Sequence, residues 1–139
     1  MNSTIILKGN ILYTQRPSEF VAIQQGYVIA VDGVVVHCGE SIPPAYGEHP
    51  ITDYGDHLII PGFVDTHAHA PQYCNRGLGM DKELLPWLET YTFPEEAKFS
   101  DQEYARLVYG AFVNDLWRNG TTRSILFGTI HKDSTLVLM

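Results

Sequence analysis

The sequence changes character at Pro61-Gly62, and this change limits the folds that the chain can adopt. Before it, β-branched residues dominate and helix signals are scarce, whereas strand-like and helix-like segments alternate after it. Alternating strands and helices are typical of a parallel sheet, because parallel strands need a long crossover connection. We therefore place residues 1–60 in a β-rich domain and residues 61–139 in an α/β domain.

Short strands are expected in the first domain. Residues 5–7 and 11–13 are apolar and flank Gly9-Asn10, which predicts two strands with a turn or bulge between them. Asp32-Gly33 separates two β-branched runs and predicts a two-residue hairpin, since both turn positions need positive φ. Residues 41–50 hold three prolines and a glycine, so we expect an exposed connection there.

The second domain begins with a strand and then contains a clear helix. Leu58 to His69 predicts one strand that is interrupted by Pro61-Gly62. Ser100 to Glu103 matches a capping box, in which the serine and the glutamate each satisfy a free backbone N–H of the other. The apolar residues that follow repeat at helical spacing: Tyr104, Leu107, Val108, Ala111, Phe112 and Leu116.

The rest of the chain predicts a second strand and the start of another helix. Asn119-Gly120 should end the helix, residues 121–129 should form the strand, and Asp133-Ser134 should open the next helix. One or two such units cannot close a sheet or cover both of its faces. We therefore expect that the sequence is a truncated part of a larger α/β fold.

The segment that carries chemistry is Pro61 to His69. Side chains at i and i+2 of a strand point to the same face, so His67 and His69 should project side by side and hold one metal ion. Two imidazoles suit zinc or a similar borderline ion. Asp65 could orient one of these imidazoles without itself binding the metal. A His-x-His pair is also common in solvated loops, but its place at the end of an apolar strand favours a metal site.

Polar and aromatic residues beyond the histidines could form a substrate pocket. Gln72 offers one acceptor and two donors to a heterocycle held at the metal, or it could simply cap a turn. Trp87, Tyr91 and Phe93 could form the walls of a pocket for a flat ring, although packing between helices would also explain each of them.

Composition excludes several classes of function. The chain has 9 Lys+Arg against 16 Asp+Glu, a formal net charge of −7, which argues against nucleic-acid binding. Its apolar runs are far shorter than the ~18 residues of a membrane helix, and the first residues lack the pattern of a signal peptide. The two cysteines, Cys38 and Cys74, then indicate a reducing, cytoplasmic setting without a disulfide framework.

The motif at residues 61–69 resembles the first-strand motif of the amidohydrolase superfamily. A longer set of segments resembles, within that superfamily, the bacterial-type guanine deaminases, and the resemblance covers essentially all of residues 58–139. These segments are residues 70–73, 84–88, 91–95 and 120–122, together with Phe127 and residues 129–131.

This resemblance implies a small β-sandwich, built from both ends of a longer chain, and a (β/α)8 barrel with its site at the C-terminal mouth. His67 and His69 match two zinc ligands of the first barrel strand. The stretch His69, Ala70, Pro71 and Gln72 matches the part that lines the guanine pocket. The remaining ligands and the proton-shuttling glutamate belong to later strands, so we expect no catalytic acid or base within residues 1–139.

The implied reaction converts guanine and water to xanthine and ammonia in purine catabolism, with one Zn²⁺ per site in a homodimer. We expect the 139-residue chain to be inactive by itself, because the later ligands are absent from it. Two alternatives stay open at this point. One is a related enzyme that acts on a pterin, a triazine or another nucleobase; the other is a truncated remnant without catalysis.

Overall fold

The computed structural model describes residues 3–139, a mixed α/β chain with two compact units. One unit ends at Pro61 and the other begins at Gly62. The first is a four-stranded sheet with the strand order β3-β2-β1-β4. Its strands are β1 (Thr4–Arg16), β2 (Glu19–Val31), β3 (Val34–Gly39) and β4 (Ile51–Ile59).

Local sequence signals explain most of this first sheet. Asp32 and Gly33 have φ values of 49° and 80°, so the predicted hairpin between β2 and β3 is confirmed. The register of β1 against β2 shifts between Gly9 and Ile11, so the break predicted at Gly9-Asn10 is a bulge, but the two short strands predicted around it are one continuous strand. Residues 41–50 are largely exposed and contain only a 3-10 turn at Pro44–Tyr46.

The prediction of one strand from Leu58 to His69 is wrong. β4 ends at Ile59 and pairs in parallel with β1, whereas the next strand begins at Phe63 and belongs to a different sheet. The sequence does not indicate most of β4, because residues 52–57 are mostly polar and Gly55 has a positive φ of 58°. Pairing with β1 and the 2.8 Å ion pair between Lys8 and Asp53 stabilise it instead.

The second unit contains a parallel strand pair joined by a long crossover. Its strands are β5 (Phe63–His69) and β6 (Thr121–Phe127). Its helices are α1 (Leu84–Trp87), α2 (Phe93–Ala97), α3 (Gln102–Arg118) and α4 (Lys132–Leu138), with 3-10 segments at Ala70–Asn75 and Lys98–Ser100 and a π-helical turn at Leu88–Thr92. The eight-stranded barrel and the composite β-sandwich stay predictions.

Helix α3 supplies most of the core of the second unit. Val108 and Phe112 are buried as the helical spacing predicts, together with Ala105 and Tyr109. Leu107, by contrast, is 73% exposed, because the buried stripe lies on the neighbouring side of the helix. Of the helices described, none is long and apolar enough to span a bilayer.

The N-terminal cap of α3 differs from the predicted capping box. Asp101 is the capping residue, and its carboxylate accepts hydrogen bonds from the backbone N–H groups of Glu103 and Tyr104. The Ser100 hydroxyl instead donates to the Ala97 carbonyl at 3.0 Å. Ser100 is thus the last residue of the preceding 3-10 turn, which places the boundary of the helix one residue later than predicted.

This cap predicts a difference between two neighbouring substitutions. Asp101→Ala should lower the free energy of unfolding by about 1 kcal/mol, because two N–H groups lose their acceptor. Ser100→Ala should change it by less than about 0.5 kcal/mol. Urea denaturation followed by circular dichroism measures both values, and equal losses would contradict Asp101 as the cap.

Candidate metal and substrate site

Strand β5 presents two imidazoles to the same point. His67 and His69 are alternate residues of β5, and their Nε2 atoms lie 3.3 Å apart. Two nitrogens bound to one tetrahedral ion at about 2.0–2.1 Å would be separated by roughly 3.3 Å as well. The separation of the two nitrogens therefore matches that of two ligands on one zinc-like ion, and a direct N–H···N hydrogen bond has the same length.

By itself, the histidine pair would be an incomplete metal site. Within residues 3–139, no group of three or more His, Cys, Asp and Glu side chains could hold an ion. A catalytic zinc site generally has three protein ligands and an open position. His67 and His69 would thus supply two donors of a larger set.

An aromatic residue on the neighbouring strand contacts both histidines. Phe127 pairs with His69 in the β5–β6 register and stacks on its ring, with the centroids 4.7 Å apart and an angle of 11°. The centroid of His67 lies 5.0 Å from the same ring. Phe127 thereby restricts the orientation of the imidazoles. Its role depends on strand pairing and could not be read from its position in the sequence.

Asp65 contacts the backbone rather than an imidazole. Its Oδ1 accepts a hydrogen bond from the backbone N–H of His67 at 3.0 Å. The β5–β6 ladder is irregular between Asp65 and Ala68, so this N–H is available to a side chain. This contact shapes the end of the strand, and the expectation that Asp65 orients an imidazole stays a prediction.

The 3-10 segment after β5 brings Gln72 to the histidines. Ala70 and Pro71 are fully buried, and Ala70 belongs to the hydrophobic core. Gln72 lies with its Nε2 atom 3.4 Å from Nδ1 of His69, a weak hydrogen bond at most. If a metal occupied Nε2 of His69, Nδ1 would carry the proton and would need the amide oxygen of Gln72 as its acceptor.

These residues open on a cleft of about 330 Å³. Its lining includes His67, His69, Gln72, Arg76, Leu78 and Trp87. The predicted wall residue Trp87 is therefore at the cleft, whereas Phe93 is 55% exposed and does not line it. Residues 76–80 could not be predicted as part of the wall, because neither their composition nor their spacing indicates it.

A polar cluster lies at the edge of the same cleft. The Tyr73 hydroxyl donates to the Asp115 carboxylate at 2.5 Å, and this hydrogen bond raises the pKa of Tyr73 above its ordinary value. The Arg76 guanidinium stacks over the Tyr73 ring at 3.9 Å. Asn75, which follows in the cleft lining, is only 4% exposed, and its amide has no hydrogen-bond partner within the described residues.

Glu95 is a buried carboxylate of this unit, but it has a structural explanation. Burial alone would raise its pKa, yet hydrogen bonds from Lys98 and Tyr104 outweigh burial and leave the pKa below its usual value. Lys98 Nζ lies 2.6 Å from its Oε2. Glu95 does not line the cleft, so we assign it no catalytic role.

The similarity to known proteins falls on the part of the chain that holds the candidate site. The sequence pattern of the Amidohydrolase family matches residues 58–138. Guanine deaminase of Dictyostelium discoideum is 50% identical over 91 residues, which cover 66% of this chain and 20% of that protein. Guanine deaminase of Escherichia coli is 42% identical over 118 residues, which cover 81% of this chain and 26% of that protein.

A solved structure gives the same result for the fold. The guanine deaminase of C. acetobutylicum with bound guanine superposes with a TM-score of 0.90 at 48% identity. The match covers 98% of this chain and 32% of that chain. The chain thus spans about a third or less of the length of these proteins, and it corresponds to their N-terminal portion.

The paired histidines predict metal binding by the 139-residue chain. Zn²⁺ should bind with one ion per chain, and His67→Ala or His69→Ala should weaken binding at least about 10-fold, since loss of a supporting contact alone has such an effect. Isothermal titration calorimetry measures the affinity. His49→Ala, in an exposed loop of the other unit, is the matched control. Unchanged affinity in the His67 and His69 variants would contradict the site.

Proposed function

The chain belongs to the Amidohydrolase family, and we propose that it supplies the N-terminal metal- and substrate-binding part of a zinc-dependent guanine deaminase. The observation that carries this proposal is the arrangement of three side chains. The imidazoles of His67 and His69 converge to 3.3 Å, and the Gln72 amide lies beside them in one cleft. The similarity to guanine deaminases at 42% to 50% identity supports guanine as the substrate.

In this proposal, some residues of the chain hold the metal ion and others position the purine. His67 and His69 hold the metal ion, and Phe127 keeps their rings in place. When bound, zinc supplies the Lewis acidity that makes water nucleophilic at neutral pH. Gln72 offers its amide to the purine so that the ring carbon bearing the amino group is held near the metal site.

The overall reaction is hydrolytic. Water adds to that ring carbon, the bond to the exocyclic nitrogen breaks, and the products are xanthine and ammonia. The group that transfers the protons would come from outside residues 1–139, as the resemblance implies. Such a reaction belongs to purine breakdown in the cytoplasm, where Cys38 and Cys74 would stay reduced. The homodimer that the resemblance implies stays a prediction.

The proposal can be tested with a chimera in which residues 1–139 replace the matching third of the C. acetobutylicum guanine deaminase. We call this protein the guanine deaminase chimera. It should convert guanine to xanthine, because the chain would supply two metal ligands and part of the substrate pocket. The 139-residue chain alone should show no turnover, because two donors are fewer than a catalytic zinc site generally has.

Spectrophotometric detection of xanthine measures both activities. The control is the chimera with His67→Ala and His69→Ala, which should lose zinc and turnover together. A folded, zinc-loaded chimera without turnover would contradict the proposed function. Zinc-dependent turnover by the 139-residue chain, above that of its own double-alanine variant, would show that its donors suffice or that a second copy completes the site.

A second prediction concerns recognition of the purine. Gln72→Ala in the guanine deaminase chimera should lower kcat/KM for guanine about 10- to 150-fold, because polar groups of the bound purine lose their partner. Zinc content should stay at one equivalent. Loss of zinc would instead mean that Gln72 acts through Nδ1 of His69 and does not bind the purine.

The matched control for this substitution is Gln102→Ala, which removes an exposed glutamine at the start of α3 and should leave kcat/KM unchanged. If kcat/KM is also unchanged in the Gln72→Ala chimera, then Gln72 caps the turn and does not bind the purine.

A further inference from the structure

Residues 76–80 form one wall of the cleft as a loop with little support of its own. Two turns close it: the N–H of Leu78 donates to the carbonyl of Asn75 at 3.1 Å, and the N–H of Lys82 donates to the carbonyl of Gly79 at 2.9 Å. Leu78 and Met80, which line the cleft, are 48% and 85% exposed. Packing of its own side chains therefore does little to hold the loop in place.

The loop is attached to the helical segment that follows it by a tertiary hydrogen bond. The indole N–H of Trp87 donates to the carbonyl of Leu78 at 2.8 Å. This carbonyl lies between the two turns of the loop, so the bond holds its centre. The indole thus acts on the cleft in two ways, because its ring also lines the cleft.

Gly79 allows the loop to lie directly against two aromatic rings. Its φ is 66°, and a Cβ at this position would lie 2.4 Å from the Tyr91 ring and 2.9 Å from the Trp87 ring. Real Cβ atoms do not approach so closely, and a positive φ disfavours other residues as well. Tyr91 belongs to the π-helical turn that directly follows Trp87, and such turns are frequent at functional sites.

We propose that Trp87 is a positioning residue that, through Leu78 and Gly79, fixes residues 76–80 as the apolar wall against which a flat heterocycle packs. This inference rests on the proposed function for the identity of the heterocycle, a purine base. Apolar side chains such as Leu78 and Met80 cover the face of a ring, while Gln72 on the cleft lining addresses its polar edge.

The first part of the test uses the 139-residue chain and needs no ligand. Trp87→Phe keeps an aromatic ring but removes the N–H, so amide hydrogen exchange at Leu78 and Lys82 should accelerate about 2- to 10-fold. Trp117→Phe is the matched control, because Trp117 is the other tryptophan of the chain, is 68% exposed and does not line the cleft. Unchanged exchange in the Trp87 variant would overturn the attachment of the loop.

Substitutions at two glycines of the loop distinguish the effect of the steric contact from that of the backbone conformation. Gly77 and Gly79 both have positive φ values, 76° and 66°, but a Cβ on Gly77 would have no atom within 4 Å. Gly79→Ala should therefore accelerate exchange in the loop more than Gly77→Ala does. Equal effects would mean that the contact with Trp87 and Tyr91 does not hold the loop.

The second part uses the guanine deaminase chimera. Trp87→Phe should raise KM for guanine about 3- to 10-fold, with kcat and zinc content unchanged, because the wall contributes to binding and not to the chemical step. Faster exchange with an unchanged KM would overturn the role of the loop as a substrate wall. If exchange responds as expected but the unsubstituted chimera does not deaminate guanine, the proposed function fails and the attachment of the loop stands.

Discussion

The parallel pairing of β5 with β6 is the interaction on which the candidate site depends. It sets His69 beside Phe127 in the ladder and so creates the stacked contact between their rings. The pairing begins where the N–H of Phe63 donates to the carbonyl of Gly120 at 2.8 Å. Gly62 is required next to it, because a Cβ there would lie 2.0 Å from the Thr122 hydroxyl oxygen. Gly62, which precedes the histidines, thus serves the pairing of the two strands.

Features that depend on neighbouring residues could be predicted from the sequence. The hairpin at Asp32-Gly33 follows from the positive φ that its two positions need, and the end of α3 follows from Gly120, whose φ is 80°. The convergence of His67 and His69 likewise follows from the two-residue period of a strand. Each of these is decided within a few residues of chain.

Features that depend on distant partners could not be predicted. β4 is mostly polar over residues 52–57, and it forms because it pairs with the edge of β1. The capping role of Asp101, rather than Ser100, depends on where the preceding 3-10 turn ends. The cleft wall at residues 76–80 depends on an indole that lies seven residues beyond it in sequence and donates to a backbone carbonyl. Such contacts leave no periodic signal in the composition of the loop.

The two halves of the candidate site differ in how firmly they are held. The imidazoles of His67 and His69 lie on a strand whose ladder and aromatic neighbour restrict them, which would suit ligands that must meet an ion within a few tenths of an ångström. The cleft wall lies on a loop with exposed side chains and a tertiary hydrogen bond from Trp87. Loops of this kind open at lower cost than strands and tolerate substitution better. Under the proposed function, changes at Leu78 or Met80 would therefore alter which flat heterocycle fits the cleft while leaving the histidine pair intact, so the selectivity of the cleft and the binding of the metal would vary separately.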